Sequence, residues 1–170
     1  SHLPNRQSVF KDNKLKDVSM LKILNGWVEK GYLIEYNEKE MGKSIGSIPI
    51  FGILQANKSK IRPIFDFRKL NNYVDVYSGS ADICLEKLRD WRRRGSTFSM
   101  LDLSEAYMQI HVHKEMWRNQ SCIINNKKYA LTKMGFGLNI APTIMTEIVR
   151  WILNSDTRIR ENTDSYIDDI

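Results

Sequence analysis

The apolar positions in the first part of the chain change from a helical to a strand-like pattern. Leu21, Leu24 and Val28 recur at helical spacing and predict an amphipathic helix. Two apolar runs follow at 48–54 and 61–67, and the polar residues between them predict a β-hairpin. The sequence therefore begins its patterned part with a helix followed by an antiparallel pair of strands.

The remaining pattern also alternates between strands and helices. In chain order it predicts a helix over 82–94, a strand over 98–103, a helical turn over 104–107, a hairpin of 122–125 with 128–133, a helix over 141–154, a polar linker and a strand over 164–168. Asn125-Asn126 provides residues that tolerate a tight hairpin turn. We find no internal repeat, and the pattern indicates an α+β fold with an antiparallel sheet and packed helices.

Composition narrows the class of protein only slightly. The 170 residues fit one domain or one lobe of a larger protein. Lys and Arg number 26 against 20 acidic residues, and the resulting net charge of +6 weakly favours a polyanionic partner. No apolar run approaches the length of a membrane span, so we expect no membrane partner. Cys84 and Cys122 suggest no disulfide framework.

Acidic residues at the ends of two predicted strands carry the candidate chemistry. Tyr166-Ile167-Asp168-Asp169 reads as a strand running into a tight turn, and Asp102 interrupts an apolar strand upstream. Hard divalent cations prefer such oxygen ligands. Two strands that each present carboxylates at their ends match the needs of a two-metal transfer site. The alternative is that each Asp merely caps a turn.

Residues just after Asp102 could lie beside such a site. A helical turn would place Tyr107 where its ring walls off the space under a bound ribose, although a core aromatic is the alternative. The backbone amides of Glu105 and Ala106, at the start of that turn, could face a triphosphate.

Basic and glycine-containing segments offer further contacts. Lys58, Lys60 and Arg62 mark the tip and flank of the first hairpin and would suit phosphates, with a solvated surface as the equal alternative. The loop at Phe136 and Gly137 would let backbone approach a partner closely. His111 and His113 lack a third metal ligand, and we interpret them as surface or hydrogen-bonded histidines.

Four segments occur in an order that is more specific than any one of them. The segments are IRPIFDFRKLN, FSMLDLSEAY, KMGFGLNIAP and YIDD. Together they resemble the reverse transcriptases of LTR retroelements and retroviruses, over roughly Leu21 to Ile170. The resemblance implies the fingers and a partial palm of a right-hand polymerase. It assigns 1–97 mainly to the fingers, 98–110 to a palm segment with the first catalytic Asp, 111–140 to a fingers segment with the nucleotide-side loop, and 141–170 to the palm helix and YIDD strand.

The resemblance also implies residue roles. The catalytic and metal-binding set would be Asp102, Asp168 and Asp169, which hold two Mg²⁺ ions, with Mn²⁺ as an alternative. Asp102 and Asp168 would carry the metals most directly, with Asp169 supporting. Tyr107 matches the steric gate against ribonucleotides, and Arg62 matches a fingers arginine that lies against the nucleotide. The full nucleotide-binding set would be Lys58, Lys60, Arg62, Glu105, Ala106, Tyr107, Phe136 and Gly137, and nucleic acid would contact Gly137, Tyr166 and Ile167. The fingers lysine that usually meets the γ-phosphate has no clean equivalent, and Phe136 replaces a polar retroviral residue.

The implied function is RNA- and DNA-templated addition of dNTPs to a primer 3′-hydroxyl. The implied partners are an RNA or DNA template-primer, dNTPs and the rest of a pol polyprotein: a thumb, with RNase H and integrase as further candidates. Cytoplasmic virus-like particles would be the setting, with the nucleus as the alternative. Because the chain stops within the YIDD turn, we expect these 170 residues to polymerise poorly by themselves. Two alternatives remain: a domesticated or decayed remnant that only binds nucleic acid or protein, and an unrelated metal phosphotransferase.

Overall fold

The computed structural model describes residues 13–55, 60–75, 84–95, 97, 99–167 and 169–170. These residues fall into two compact units. The first takes in the described part of Ser1–Asp66 together with His113–Thr132, and the second takes in the described part of Phe67–Val112 together with Lys133–Ile170. Each unit therefore combines two separate stretches of the chain.

The first unit contains two small antiparallel sheets packed on a long helix. Its elements are α1 (Asn13–Glu29), β1 (Leu33–Glu35), α2 (Glu38–Met41), β2 (Ile50–Gln55), β3 (Lys60–Phe65), a 3-10 helix (Lys114–Asn119), β4 (Ser121–Ile124) and β5 (Lys127–Leu131). One sheet has the strand order β1-β5-β4, and the other is the β2–β3 hairpin. Trp27 of α1 stacks on Phe65 of β3 with ring centroids 5.8 Å apart, which ties the helix to the hairpin.

Local turn chemistry sets the ends of several of these elements. Helix α1 closes with hydrogen bonds from Gly31 N to Val28 O and from Tyr32 N to Trp27 O, and Gly31 takes the positive φ of +71° that such a cap needs. The β4–β5 hairpin turns through Asn125 and Asn126, at φ 47° and 61°. Both central residues are thus left-handed, as a type I′ turn requires, and the predicted hairpin is confirmed.

The second unit is mainly helical. Its elements are α3 (Arg68–Asn71), α4 (Cys84–Arg94), α5 (Ala106–Gln109), α6 (Ala141–Asn154) and α7 (Thr157–Asn162). A buried cluster, the α5–α6 cluster, consists of Ala106, Met145 and Val149. Five partly buried residues pack against it: Tyr107, Ile110, Leu153, Ile167 and Ile170. This cluster supports the segments that carry the candidate acids.

Two predictions about the end of the chain were wrong. The polar linker after α6 forms helix α7, whose N-cap is Asp156: its side chain accepts a hydrogen bond from Arg158 N. The described part of the strand predicted over 164–168 is not regular strand: among the described residues 163–165 form no ladder, and pairing is limited to isolated bridges at Tyr166 and Asp169. Side chains of α4 contact residues 164 and 165 instead.

The predicted buried strand over 98–103 was also wrong in its extent. Phe98 lies outside the described residues, and among 99–103 pairing is confined to one bridge at Asp102. Met100 and Leu101 are 65% and 62% exposed. The apolar residues of this segment favour a strand, but whether they are buried depends on what packs against each face of the segment.

Other predicted elements differ at their boundaries. The helical turn after Asp102 begins at Ala106, because Glu105 before it is left-handed at φ 50°. The helix predicted over 82–94 is described from Cys84 onward.

The assignment of segments to fingers and palm stays a prediction. Of the helices in the described ranges, none has the length and apolar character needed to cross a membrane.

Candidate active site

The chain reverses direction at the Tyr166–Asp169 turn, which contains the predicted acid Asp169. Tyr166 N donates to Asp169 O at 2.9 Å, and Asp169 N donates to Tyr166 O at 3.1 Å. These reciprocal bonds are those of a closed two-residue turn. The prediction of a tight turn at this motif is therefore confirmed, while Asp168 lies outside the described residues.

Ile167, the first residue inside this turn, has an unusual backbone conformation. Its φ is +59°, in the left-handed region that a β-branched side chain rarely adopts. Its side chain packs against the α5–α6 cluster, so that packing opposes the backbone cost of the conformation. Strained residues of this kind persist where the surrounding structure over-determines them, often at functional sites.

Backbone pairing places Asp102 directly opposite Asp169. Leu101 N donates to Ile170 O at 2.7 Å, and Ile170 N donates to Leu101 O at 2.9 Å. The next pair along, Asp102 with Asp169, forms an antiparallel bridge. Residues in directly opposed positions project from one face with Cβ atoms about 4.5–5.5 Å apart. The two acids are far apart in sequence, but the backbone pairing makes them cross-strand neighbours.

The pair has the chemistry of a cation site. Asp102 is exposed and Asp169 is half-buried, and carboxylates held close together repel each other unless a cation lies between them. Their oxygens are the ligands that Mg²⁺ and Mn²⁺ prefer. Within the described residues, no group of three or more acidic, His and Cys side chains is gathered for a metal ion, and the predicted third ligand, Asp168, falls outside that range. The described carboxylates therefore fit two ligands of the predicted set.

Tyr107 lies on the short helix that follows Asp102. Its side chain is half-buried and packs against the α5–α6 cluster. Ala106 belongs to that cluster and is 7% exposed, whereas Glu105 is exposed. The side chain of Tyr107 thus packs against the core on one side and is partly exposed to solvent. This arrangement agrees both with a core aromatic and with a ring beside a bound ribose. The roles predicted for all three residues stay predictions.

A side chain that the sequence did not single out holds the glycine loop. Asn71 Nδ2 donates to Gly137 O at 2.9 Å, and Asn139 N donates to Asn71 Oδ1 at 3.0 Å. Gly137 has φ +104°, which a residue with a side chain would avoid. Phe136, predicted to lie beside the nucleotide, is half-buried in the same loop. Asn71 therefore fixes the path of the loop from both sides of residue 138.

The two histidines do not form a pair. His111 bridges Lys133 through the backbone, and its Nε2 lies 2.8 Å from Lys133 Nζ. Lysine can only donate, so His111 Nε2 accepts this hydrogen bond. His113 belongs to the first unit, where its Nδ1 lies 3.8 Å from a Glu115 carboxylate oxygen. His111 is thus hydrogen-bonded and His113 lies at the surface, as the sequence predicted.

Helix α4 contacts the segment that leads into the turn. Lys87 Nζ lies 3.0 Å from Asp164 Oδ1, and Trp91 Nε1 donates to Asp164 Oδ2 at 2.9 Å. Lys87 Nζ also donates to Ser165 O. Burial raises the pKa of the Asp164 carboxyl, but the hydrogen bonds from Trp91 and Lys87 outweigh it and hold the pKa below its ordinary value. No pattern along the chain predicted this contact, because the partners are 73 and 77 residues apart.

The predicted basic contacts lie in the first unit. Arg62 is exposed on β3, opposite Ile53 of β2. The backbone of Lys60 pairs with Gln55, whereas the Lys60 side chain and the whole of Lys58 lie outside the described residues. An exposed arginine beside the hairpin tip is compatible with the predicted phosphate contact, which stays a prediction.

The sequence is similar to part of one retroviral polyprotein. No protein-family model matches the chain. It is 24% identical over 123 residues to the Gag-Pol polyprotein of walleye dermal sarcoma virus, a match that covers 72% of this chain and 7% of the polyprotein. The chain therefore corresponds to a small part of that relative.

Solved structures give the stronger likeness. A foamy viral protease-reverse transcriptase in complex with dsDNA has a TM-score of 0.74 at 20% identity, covering 99% of this chain and 33% of that one. The native prototype foamy virus protease-reverse transcriptase has a TM-score of 0.73 at 17% identity, covering 99% and 21%. A complex of the foamy viral protein with an RNA/DNA hybrid has a TM-score of 0.72 at 18% identity, covering 95% and 20%.

These findings confirm the predicted fold and the predicted resemblance. The chain has mixed helices and antiparallel sheet in the fold of a viral reverse transcriptase. In sequence and fold together it is similar to the reverse-transcriptase region of a retroviral pol polyprotein. It spans at most a third of the length of these relatives.

Proposed function

We propose that this chain is part of an RNA-directed DNA polymerase that adds dNTPs to a primer 3′-hydroxyl on an RNA or DNA template. The pairing of Asp102 with Asp169 beside the closed Tyr166–Asp169 turn is the observation that carries the proposal. Two acids on neighbouring, backbone-paired segments suit two-metal phosphoryl chemistry. The likeness to proteins whose structures contain dsDNA or an RNA/DNA hybrid supports nucleic acid as the partner.

In this proposal Asp102 and Asp169 are two of the three carboxylates that hold a pair of Mg²⁺ ions, and Asp168 completes the set on sequence grounds. Ions held there would lower the pKa of the primer 3′-hydroxyl and offset negative charge on the triphosphate. The chain itself orients the reaction. The turn holds Asp169 opposite Asp102, and the Ile167 packing holds the turn, so the ligands are placed before the ions arrive.

Other residues would select and position the nucleotide. Tyr107, supported by the α5–α6 cluster, would exclude a 2′-hydroxyl with the exposed part of its ring. Arg62 would contact phosphate, because its planar, permanently charged group suits phosphate oxygens. The Phe136–Gly137 loop, held by Asn71, would face the nucleotide and template. These roles predict which variants change dNTP affinity and which change metal affinity.

The test is Mn²⁺ binding by the chain, followed by electron paramagnetic resonance, with and without a template-primer and the complementary dNTP. We expect Mn²⁺ binding to strengthen when the complementary dNTP is present and to be lost in Asp102→Asn and Asp169→Asn. Asp90→Asn is the matched control, because it makes the same substitution at an exposed acid of α4. Asp90 Oδ1 lies 3.7 Å from Arg93 Nη1. Primer extension is measured in parallel, and incorporation abolished by Asp102→Asn would support the polymerase directly.

The opposite pattern would favour the second candidate, a remnant that only binds. Such a protein would bind nucleic acid in a salt-sensitive way without any metal. Nucleic-acid binding that is indifferent to Mn²⁺, to the dNTP and to Asp102→Asn would therefore overturn the proposed polymerase function.

A further inference from the structure

The segment that enters the Tyr166–Asp169 turn lacks the support that a sheet would give it. Residues 163–165 form no ladder with another strand. Ser165 is nevertheless 6% exposed, and Asp164 accepts three hydrogen bonds. The donors to Asp164 are Lys87 Nζ at 3.0 Å, Trp91 Nε1 at 2.9 Å and Ser165 N at 2.8 Å. Side chains therefore supply the support that strand pairing would otherwise provide.

The contact restricts both side chain and backbone. Trp91 bonds one carboxylate oxygen of Asp164 and Lys87 bonds the other, which fixes the orientation of the carboxylate plane. Lys87 also binds the carbonyl of Ser165, so it holds the main chain one residue before the turn begins. Charge-assisted hydrogen bonds of this kind are stronger than neutral ones.

The two donors act from one rigid element. Lys87 and Trp91 are four residues apart on α4, and residues at that spacing lie on the same helix face. The acceptor segment leads straight into Tyr166, whose backbone bonds Asp169, and Asp169 pairs with Asp102. An unbroken series of contacts thus runs from α4 to the carboxylate pair.

We propose that Lys87 and Trp91 are positioning residues that fix the Tyr166–Asp169 turn, and with it the Asp169 carboxylate, by anchoring Asp164 and Ser165. That the anchored carboxylate serves metal binding rests on the proposed function. The anchoring itself is a statement about this chain's own contacts and has a readout that needs no metal.

The readout is amide hydrogen exchange of the second unit, measured by NMR. The amides of Asp169 and Ile170 are hydrogen-bonded within the turn and its bridge, while Met134 N bonds Ile110 O and Ile144 N bonds Ile140 O elsewhere in that unit. A residue that only stabilises the fold changes exchange at all four amides, whereas a positioning residue changes it at the first two. Comparing the two pairs separates the roles.

Two substitutions remove the anchor with little change in volume. In Lys87→Met and in Trp91→Phe we expect exchange at Asp169 and Ile170 to rise about tenfold, which is the loss expected for one hydrogen bond to a charged group. Exchange at Met134 and Ile144 stays unchanged. Lys87→Arg, which keeps a cationic donor, restores most of the protection.

Matched controls come from exposed positions in the same unit. Arg89→Met makes the same charge change on α4, and Trp151→Phe removes an indole from a tryptophan that is 75% exposed. Neither control should alter exchange in the turn. Unchanged turn exchange in Lys87→Met and Trp91→Phe, or an equal rise at all four amides, would overturn the proposal.

Metal binding by the same variants distinguishes this proposal from the proposed function. If the wild-type chain binds Mn²⁺, both anchor variants should weaken Mn²⁺ binding while template-primer affinity stays constant. If the wild-type chain binds no Mn²⁺ although the turn still loosens in the variants, the anchoring is confirmed and the metal site is not.

Discussion

Ile167 shows how a single residue reports on the candidate site. The sequence places it in an apolar strand, yet its φ of +59° belongs to a turn. A left-handed conformation costs a residue with a side chain roughly 1–2 kcal/mol, and packing on Ala106, Met145 and Val149 opposes that cost. Packing and backbone strain at this position therefore have opposite signs and can be measured separately.

Replacing Ile167 with Ala and with Gly separates the two effects. Both variants lose the packing of the side chain and should have a lower free energy of unfolding than the wild type. Glycine adopts positive φ freely, so we expect Ile167→Gly to be more stable than Ile167→Ala by about 1 kcal/mol. Urea denaturation of the three proteins measures the difference.

Ile152 provides the matched control for this comparison. It lies in α6 and is 51% exposed, and in a helix glycine is less favourable than alanine by about 1 kcal/mol. The order of the Gly and Ala variants should therefore reverse there. An Ile167→Ala protein as stable as Ile167→Gly would show that the turn is not strained.

At the level of elements, the sequence predicted those structures whose cause is local. The Asn125-Asn126 turn, the α6 helix and the β2–β3 hairpin all follow from residues next to one another, and all three are present. The strands predicted over 98–103 and 164–168 failed because pairing and burial depend on distant partners. The helix α7 was missed because its sequence is polar except for Ile159 and so carries no apolar helical pattern.

The candidate site follows the same division. Its acids could be predicted, because an Asp that interrupts or ends an apolar run stands out in the sequence. The residues that hold the site could not: Asn71 reaches Gly137 across 66 positions, and Lys87 reaches Asp164 across 77. No pattern along the chain marks an asparagine or a lysine for such a contact.

The Lys87–Trp91–Asp164 contact also makes stability depend on pH. The pKa of Asp164 is lower in the folded chain than its ordinary value, so in acid the unfolded chain binds more protons than the folded one. This contribution to stability is complete above the ordinary aspartate pKa of about 3.9 and is lost as pH falls through the lower, folded pKa. Urea denaturation across this acidic range measures it.

The Asp164→Asn variant isolates that contribution from the other carboxylates. Its unfolding free energy should fall less steeply with decreasing pH than that of the wild type, and the two proteins should converge at the acid end. Asp156→Asn is the comparison, because hydrogen bonds from Arg158 also lower the pKa of Asp156. Identical pH profiles for Asp164→Asn and wild type would show that the contact does not favour the ionised carboxylate.

At the scale of the whole molecule, the fold persists although few residue identities do. Identity to the viral reverse transcriptases is 17–20% at TM-scores of 0.73–0.74. A fold can persist at such low identity, because the pattern of apolar and polar positions determines the fold class before particular side chains do. Net charge is a second property of the whole chain, and it bears on the partner.

The chain has 26 basic and 20 acidic residues, and the resulting net positive charge predicts salt-sensitive binding to nucleic acid. If four phosphates are neutralised on a duplex, raising salt from 50 to 200 mM should weaken binding about a hundredfold. Fluorescence anisotropy of a labelled template-primer in EDTA measures this part of the affinity, because it needs no metal. A logarithmic plot of affinity against salt concentration gives the number of phosphate contacts.

The same titration with Asp102→Asn and Asp169→Asn tests whether binding and metal chemistry are separate properties. The proposed metal ligands are not phosphate contacts, so both variants should keep the slope of the wild type in EDTA. Added Mn²⁺ with the complementary dNTP should then strengthen binding by the wild type alone. A flat salt dependence would mean that the positive charge has no part in recognition, and a slope altered by Asp102→Asn would place that carboxylate in the nucleic-acid contact rather than in a metal site.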